Sequence, residues 1–200
     1  MLTLYHSPMS RSTSIVSLIE ELGADVDIIT VTVPRQDGTG ARDPRNPHPE
    51  GKVPLLVHDG QHIRERGAIV AHLCALYPDA GLAPAPGTAD HGRFLSWLFY
   101  YQGVMEPVMV ASILELSHPG FEATFRDKAA MARVLETALK DGPYLMGDTF
   151  SAADLLLHSP FGWMPEFTPD SQVIRDWVAR CAARPSIAHA AARDQESMSA

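Results

Sequence analysis

Three short stretches of the chain carry residue types whose spacing suits ligand binding and thiol chemistry. The first is Pro8-Met9-Ser10-Arg11-Ser12. A serine just ahead of a helix either caps it or turns its hydroxyl toward a ligand sulfur or oxygen. The second is Gly51-Lys52-Val53-Pro54-Leu55. Proline is tolerated at the first position of a strand, where its missing N–H faces no ladder partner. If the peptide before it were cis, the chain would turn sharply, and the Val53 N–H and C=O would point outward as a socket for a peptide-like ligand. Local sequence alone favours the plainer reading, a trans proline at a strand start. The third stretch is Arg64-Glu65-Arg66-Gly67. Free N–H groups at a helix start attract a carboxylate. Glu65 would meet a ligand ammonium and Arg66 a ligand carboxylate, which together describe an amino-acid headgroup. The competing reading is an acidic first turn that complements the helix dipole.

The elements that must position these stretches can be read from apolar periodicity. Leu2 to Tyr5 reads as a short strand. Ile15, Leu18, Ile19 and Leu22 recur at helical spacing and stop at Gly23. Asp25 to Val33 is rich in Val, Ile and Thr and reads as a strand. Residues 34–50 are irregular, with room for a short helix. Pro54 to His58 and Gln61 to Arg64 form a hairpin across Asp59-Gly60. Ile69, Val70, Leu73, Cys74 and Tyr77 mark a helix face starting at Glu65. The βαβ part implies a parallel pair with a right-handed crossover, and the hairpin adds an antiparallel edge.

After residue 77 the texture changes. Residues 78–90 are rich in Pro, Gly and Ala and read as a linker. Residues 91–200 look wholly helical. Phe94, Trp97, Phe99, Tyr100 and Tyr101 form a dense aromatic run that reads as core or interface. Met131, Val134, Leu135 and Ala138 fit helical spacing, and Ser151-Ala152-Ala153-Asp154 is a helix-capping signal. Val173, Ile174, Trp177, Val178 and Cys181 mark a further helix, and Pro185 opens a last short one. The expected architecture is a small α/β domain over 1–77, a linker, and an all-α domain over 91–200.

Composition bounds the function. The chain is 200 residues long and 46% hydrophobic, enough for a real core. Its formal net charge of −8 disfavours nucleic acid and anionic membrane as partners, since both need a basic surface. No apolar stretch is long enough to span a membrane, and the N-terminal residues lack a secretory pattern. Cys74 and Cys181 are far apart without a CxxC, which fits a reducing cytoplasm. His58 and His62 flank a turn rather than sharing a helix face, and no HExxH is present, so no metal is expected.

Taken in order, LYHSPMSRSTSIVSLIEELG (4–23), HPEGKVPLLVHDG (48–60), IRERGAIVAHL (63–73), GPYLMGDTFSAADLLL (142–157) and VIRDWVARCAARPSI (173–187) resemble the cytosolic glutathione transferase superfamily, in its bacterial, serine-type form. The resemblance implies a thioredoxin-like N-terminal domain joined to an all-α C-terminal domain, usually as a cytoplasmic homodimer acting in detoxification. It implies glutathione as co-substrate and a small hydrophobic electrophile bound by the helical domain. The alternatives are a glutathione-dependent peroxidase or isomerase, or a non-catalytic interaction module of the same fold.

Residue by residue, the resemblance makes Val53 the backbone partner of the cysteinyl part of glutathione and Pro54 a cis-proline. Glu65 matches the acidic residue at the γ-glutamyl end. Arg66 stands where the family usually has serine. Ser10 matches the catalytic serine, with Tyr5 and Ser12 as other hydroxyls near the thiol; Ser12, beyond the loop tip, is expected to face the helix. Arg11, Lys52, Arg64 and Arg66 fall in or beside the three motifs and would offer local positive charge to an anionic tripeptide. A free thiol titrates near 8.5, so only about 3% is thiolate at pH 7. Lowering that value by about two units needs roughly 2.7 kcal/mol of preference for the anion. One hydroxyl hydrogen bond to a charged acceptor supplies about 1.5–3 kcal/mol, and a helix N-terminus adds roughly 0.3–1 kcal/mol.

Overall fold

Strand β1 (Leu2–His6) buries every second side chain, so Leu2, Leu4 and His6 point to the same covered face. The protein's structure, a computed structural model, describes residues 1–35 and 37–199. Helix α1 (Thr13–Leu22) follows, with Ile15, Leu18, Ile19 and Leu22 buried, and ends on Gly23 in the left-handed region that glycine tolerates. Strand β2 (Asp27–Thr30) pairs parallel with β1, Tyr5 opposite Ile29. It is shorter than the Asp25–Val33 expected. Its neighbour is β1, and that strand ends at His6, opposite Thr30. One further bond, Val31 N–H to His6 C=O, closes the pairing.

Strands β3 (Leu55–His58) and β4 (Gln61–Ile63) form the expected hairpin. Both turn residues have positive φ, Asp59 at 48° and Gly60 at 81°, which matches the twist of the strands. The sheet order is β2-β1-β3-β4, with β1 antiparallel to β3. Helix α2 (Arg66–Leu76) then buries Ile69, Val70, Leu73 and Cys74. Residues 37–50 contain turns but no helix. The Asp43 carboxylate holds this segment, accepting from Arg45 at 2.7 Å and from the Thr32 N–H at 3.3 Å.

The second half is helical: α3 (Ala89–Tyr100), α4 (Glu106–Ile113), α5 (Pro119–Phe125), α6 (Lys128–Ala138), α7 (Ala152–Trp163), α8 (Gln172–Ala182) and α9 (Pro185–Ser199). A π-helical turn, Tyr101–Met105, interrupts the run that reads as continuous in the sequence. The aromatic run divides accordingly: Phe94 and Tyr101 are buried while Phe99 is 74% exposed. Among the described residues no helix is long and apolar enough to cross a membrane.

The chain forms two compact units, Met1–Ala80 with Arg184–Ala200, and Gly81–Ala183. Helix α9 therefore lies in the first unit, not with the helices that precede it, as the 91–200 boundary supposed. Polar contacts to α1 help hold it there. The Arg184 guanidinium donates to the Glu21 carboxylate at 2.7 and 2.5 Å, the Ser186 hydroxyl donates to it at 2.6 Å, and His189 meets Glu20 at 2.6 Å. Burial pushes the Glu21 carboxyl up, but the bonds from Arg184 and Ser186 and the Arg184 charge outweigh it and hold the group below its ordinary value.

The helical unit is organised around Asp154, which is fully buried. Its carboxylate accepts from the Leu145 N–H at 2.8 Å, the Trp177 indole N–H at 2.9 Å, and the Ser151 N–H and hydroxyl at 2.9 and 2.8 Å. The capping signal in the sequence thus reaches beyond its own helix, tying the start of α7 to α8 and to the segment before it. Burial nonetheless wins here and raises the Asp154 carboxyl above its ordinary value.

Asp154→Ala leaves these donors buried without an acceptor, so it is expected to destabilise the protein by roughly 3 kcal/mol or more. Asp154→Asn, which keeps one acceptor oxygen, should cost clearly less; denaturant unfolding checks both. The α1–α9 latch has a definite pH sense. A carboxyl held below its ordinary value stabilises the fold above that value and loses the contribution as pH falls through the folded-state value. Asp154, raised by burial, acts in the opposite sense. Glu21→Gln is therefore expected to flatten the loss of stability below about pH 4.5 relative to wild type, measured as unfolding midpoints against pH.

Candidate active site

The loop between β1 and α1 is tied down from below by a buried hydrogen-bonded chain. Ser10 is half-buried; its hydroxyl lies 2.7 Å from the Ser7 carbonyl oxygen and 2.7 Å from the Ser12 hydroxyl. The Ser12 N–H donates back to Ser10 Oγ at 3.2 Å. Ser12 Oγ in turn lies 2.8 Å from His6 Nδ1 and accepts from the Ser7 N–H at 3.1 Å. On the far side of the ring, His6 Nε2 lies 2.9 Å from the Asp194 carboxylate. That carboxylate also accepts from the Met9 N–H at 2.7 Å and the Thr13 hydroxyl at 2.6 Å. Burial pushes the Asp194 carboxyl up, yet the bonds from His6, Thr13 and the Met9 N–H hold it below its ordinary value.

Local sequence explains the loop's shape. Pro8 is buried beneath it, and Met9 takes a positive φ of 51°. Arg35 donates to the Pro8 and Met9 carbonyl oxygens at 2.7 and 3.3 Å. Ser12 makes no capping bond to α1. Its expected orientation toward the helix is wrong: a buried histidine offered a stronger partner.

The second motif lies where the sheet ends. The ladder between β1 and β3 stops at Leu55, so Val53 lies outside it, and the Val53–Pro54 peptide is cis. The Asn46 side chain holds the approach by donating to the Lys52 carbonyl oxygen at 3.0 Å. At the third motif, Glu65 precedes α2 with φ 68° and ψ 126°. A non-glycine residue held there carries roughly 1–3 kcal/mol of backbone strain, a feature that clusters at ligand sites. Arg66 opens α2 and is only 5% exposed, where a cation reaching outward was expected. Arg11 is exposed.

The local basic cluster is less bare than its composition suggests. Glu50 pairs with Lys52 at 2.9 Å and lies 3.9 Å from Arg64. His58 pairs with His72 at 3.0 Å rather than with His62. Burial pushes the Cys74 thiol up to about 12, and Cys181 is fully buried, so neither is a ready nucleophile.

Sequence reasoning missed His6, Thr13 and Asp194. A signal for His6 was present: it continues the inward parity of Leu2 and Leu4, and a buried imidazole demands partners. Asp194 left no such trace, because it stands 188 residues away from His6.

Known proteins resemble this chain in sequence and in fold. The glutathione S-transferase N-terminal domain matches residues 1–74, and the glutathione S-transferase C-terminal domain matches residues 100–185. Glutathione S-transferase 3 of Schizosaccharomyces pombe is 27% identical over 172 residues, covering 77% of this chain and 70% of that protein. The crystal structure of a glutathione transferase from Methylococcus capsulatus superposes with a TM-score of 0.79 at 27% identity, covering 98% of this chain and all of the other. A sphingomonad glutathione S-transferase solved with glutathione gives a TM-score of 0.75 at 27% identity, covering 96% and 98%. With both domains matched in order and the two-part fold reproduced along nearly its whole length, the chain belongs to the glutathione S-transferase superfamily.

Proposed function

We propose that this protein activates the thiol of glutathione at Ser10 and directs it at a small hydrophobic electrophile. The observation that carries the reading is the Ser10 hydroxyl, half-buried at the outer end of a hydrogen-bonded chain, in a loop that leads directly into α1. Glutathione is the co-substrate. Its cysteinyl backbone pairs with Val53, which lies outside the ladder beside Pro54, and its γ-glutamyl carboxylate takes the N-terminus of α2 while the ammonium turns to Glu65. Lys52 and Arg11 supply exposed positive charge for the remaining carboxylate, with Lys52 leaving Glu50 to do so. Arg66, at the start of α2, adds charge behind the γ-glutamyl group. The thiolate, once formed, attacks the electrophile in a single displacement or addition. The protein works in the cytoplasm, where its two free cysteines stay reduced.

Retention on immobilised glutathione, followed by turnover against a panel of electrophiles, tests the reading; a protein that neither binds glutathione nor turns over any of the panel overturns it. Ser10→Ala is expected to cut turnover while leaving glutathione affinity within about twofold, because the hydroxyl favours the anion rather than the tripeptide. The bound thiol should titrate roughly one to two units higher in that variant, read from the pH dependence of thiolate absorbance. Full activity in Ser10→Ala, with loss in Tyr5→Phe, would move the assignment to Tyr5.

The reading includes a homodimer. Phe99 on α3, 74% exposed, is a large apolar side chain of the kind that association covers. Light scattering at micromolar concentration is expected to give twice the chain mass, and Phe99→Asp to shift the population toward monomer.

A further inference from the structure

Resting on the reading that glutathione is activated at Ser10, we propose that the thiol's proton does not leave for solvent but passes through Ser10 and Ser12 to His6, where Asp194 holds the resulting imidazolium. The donor and acceptor bookkeeping leads there step by step. Asp194 Oδ2 takes two donors, the Met9 N–H at 2.7 Å and the Thr13 hydroxyl at 2.6 Å. Both lone pairs of Oδ2 are thus engaged, and these bonds hold the carboxyl below its ordinary value, so it is an anion near neutral pH. His6 Nε2, 2.9 Å from Oδ1, must then carry a hydrogen. In the neutral imidazole that leaves Nδ1 with its lone pair, facing Ser12 Oγ at 2.8 Å. Ser12 therefore donates to His6, the nearer acceptor, rather than to the Ser7 carbonyl oxygen at 3.3 Å. Its oxygen is left to accept, from the Ser7 N–H and from Ser10.

Ser10 has one hydrogen. Both of its close oxygen neighbours, Ser7 C=O and Ser12 Oγ at 2.7 Å each, draw that hydrogen inward. In this arrangement Ser10 presents a lone pair to the outside, which suits a thiol that is still protonated. It cannot at the same time donate to a thiolate.

One concerted shift resolves this. The S–H bond breaks and its electron pair stays on sulfur; the hydrogen bonds to Ser10 Oγ. The hydrogen that Ser10 held passes to Ser12 Oγ, and the one Ser12 held passes to His6 Nδ1. Three hydrogens each move one place, and the net change is one proton transferred from thiol to imidazole. Afterwards every hydroxyl points the other way: His6 donates to Ser12, Ser12 to Ser10, and Ser10 to the thiolate. The same event that stores the proton aims the Ser10 hydroxyl at sulfur. A buried imidazolium is tolerable only beside a counter-ion, and Asp194, fully buried and already ionised, is that counter-ion. His6, Ser12 and Asp194 touch no substrate; they act through Ser10 as positioning residues.

The test follows the His6 ring nitrogens by NMR in the intact protein at about pH 7.5, between the ordinary imidazole and thiol values. The His6 signal is identified by its loss in His6→Gln. Without ligand, His6 is expected as the neutral tautomer with hydrogen on Nε2. Glutathione should convert it to imidazolium, while S-methylglutathione, which has no thiol proton, should leave it neutral. In lightly buffered solution, wild type should release close to no protons per thiolate formed, and Ser12→Ala about one. An imidazolium already present without ligand, a neutral ring alongside a full thiolate signal, or one proton released per thiolate in wild type would each overturn the relay. Those outcomes do not depend on Ser12→Ala, so a folding defect in that variant cannot mask them. Failure of glutathione to bind at all would instead remove the reading beneath the relay, and the relay with it.

Discussion

A carboxylate with no access to water must find its donors inside the protein, and Asp194 is such a group. It draws on the end of β1 through His6, on the loop through the Met9 N–H, and on the first turn of α1 through Thr13. Three segments near the N-terminus are thus held in one arrangement by a residue close to the other end of the chain. The latch of Arg184, Ser186 and His189 onto Glu20 and Glu21 keeps α9 in register for it. The position of Ser10 is a consequence, since its hydroxyl rests on Ser12 and Ser12 rests on His6.

The helical unit uses the same device with a different outcome. Asp154 is as deeply buried as Asp194 and has four donors, but all of them are neutral: two backbone N–H groups, a hydroxyl and an indole. Burial then dominates and the carboxyl is raised. Asp194 has three bonds to it, one of them from an imidazole, and the carboxyl is lowered. The contrast separates a staple from a counter-ion. Asp154 joins helices; Asp194 faces His6, the group that the proposed relay would charge.

Around the second and third motifs, charge is arranged with less commitment. Glu50 holds Lys52 and lies near Arg64, and pairs this exposed contribute little to stability. They are correspondingly easy to exchange for a ligand carboxylate. Glu65, by contrast, is fixed in a costly backbone conformation at the head of α2. Rigid placement at the head of α2 and exchangeable charge elsewhere suit the proposed mode of glutathione binding, in which the sulfur of a flexible tripeptide must be delivered to one spot.

Much of this was determined by the sequence itself. Helical spacing in Ile15, Leu18, Ile19 and Leu22, the Asp59-Gly60 turn and the Ser151–Asp154 cap are local devices, and local physics suffices to read them. The three motifs proposed to hold glutathione stood out for the same reason: each lies within a few residues at the edge of one element. Strand β2 was overread because strand length depends on a partner, and β1 ends at His6. Val134 fits helical spacing yet is 40% exposed, since periodicity marks a face without saying what covers it. Tertiary structure alone decided which unit α9 joins, how Arg66 is buried, and that His6 and Asp194 meet. Those outcomes depend on burial and on pairing between residues up to 188 positions apart, and no short-range pattern in a chain encodes which distant carboxylate will answer a buried imidazole.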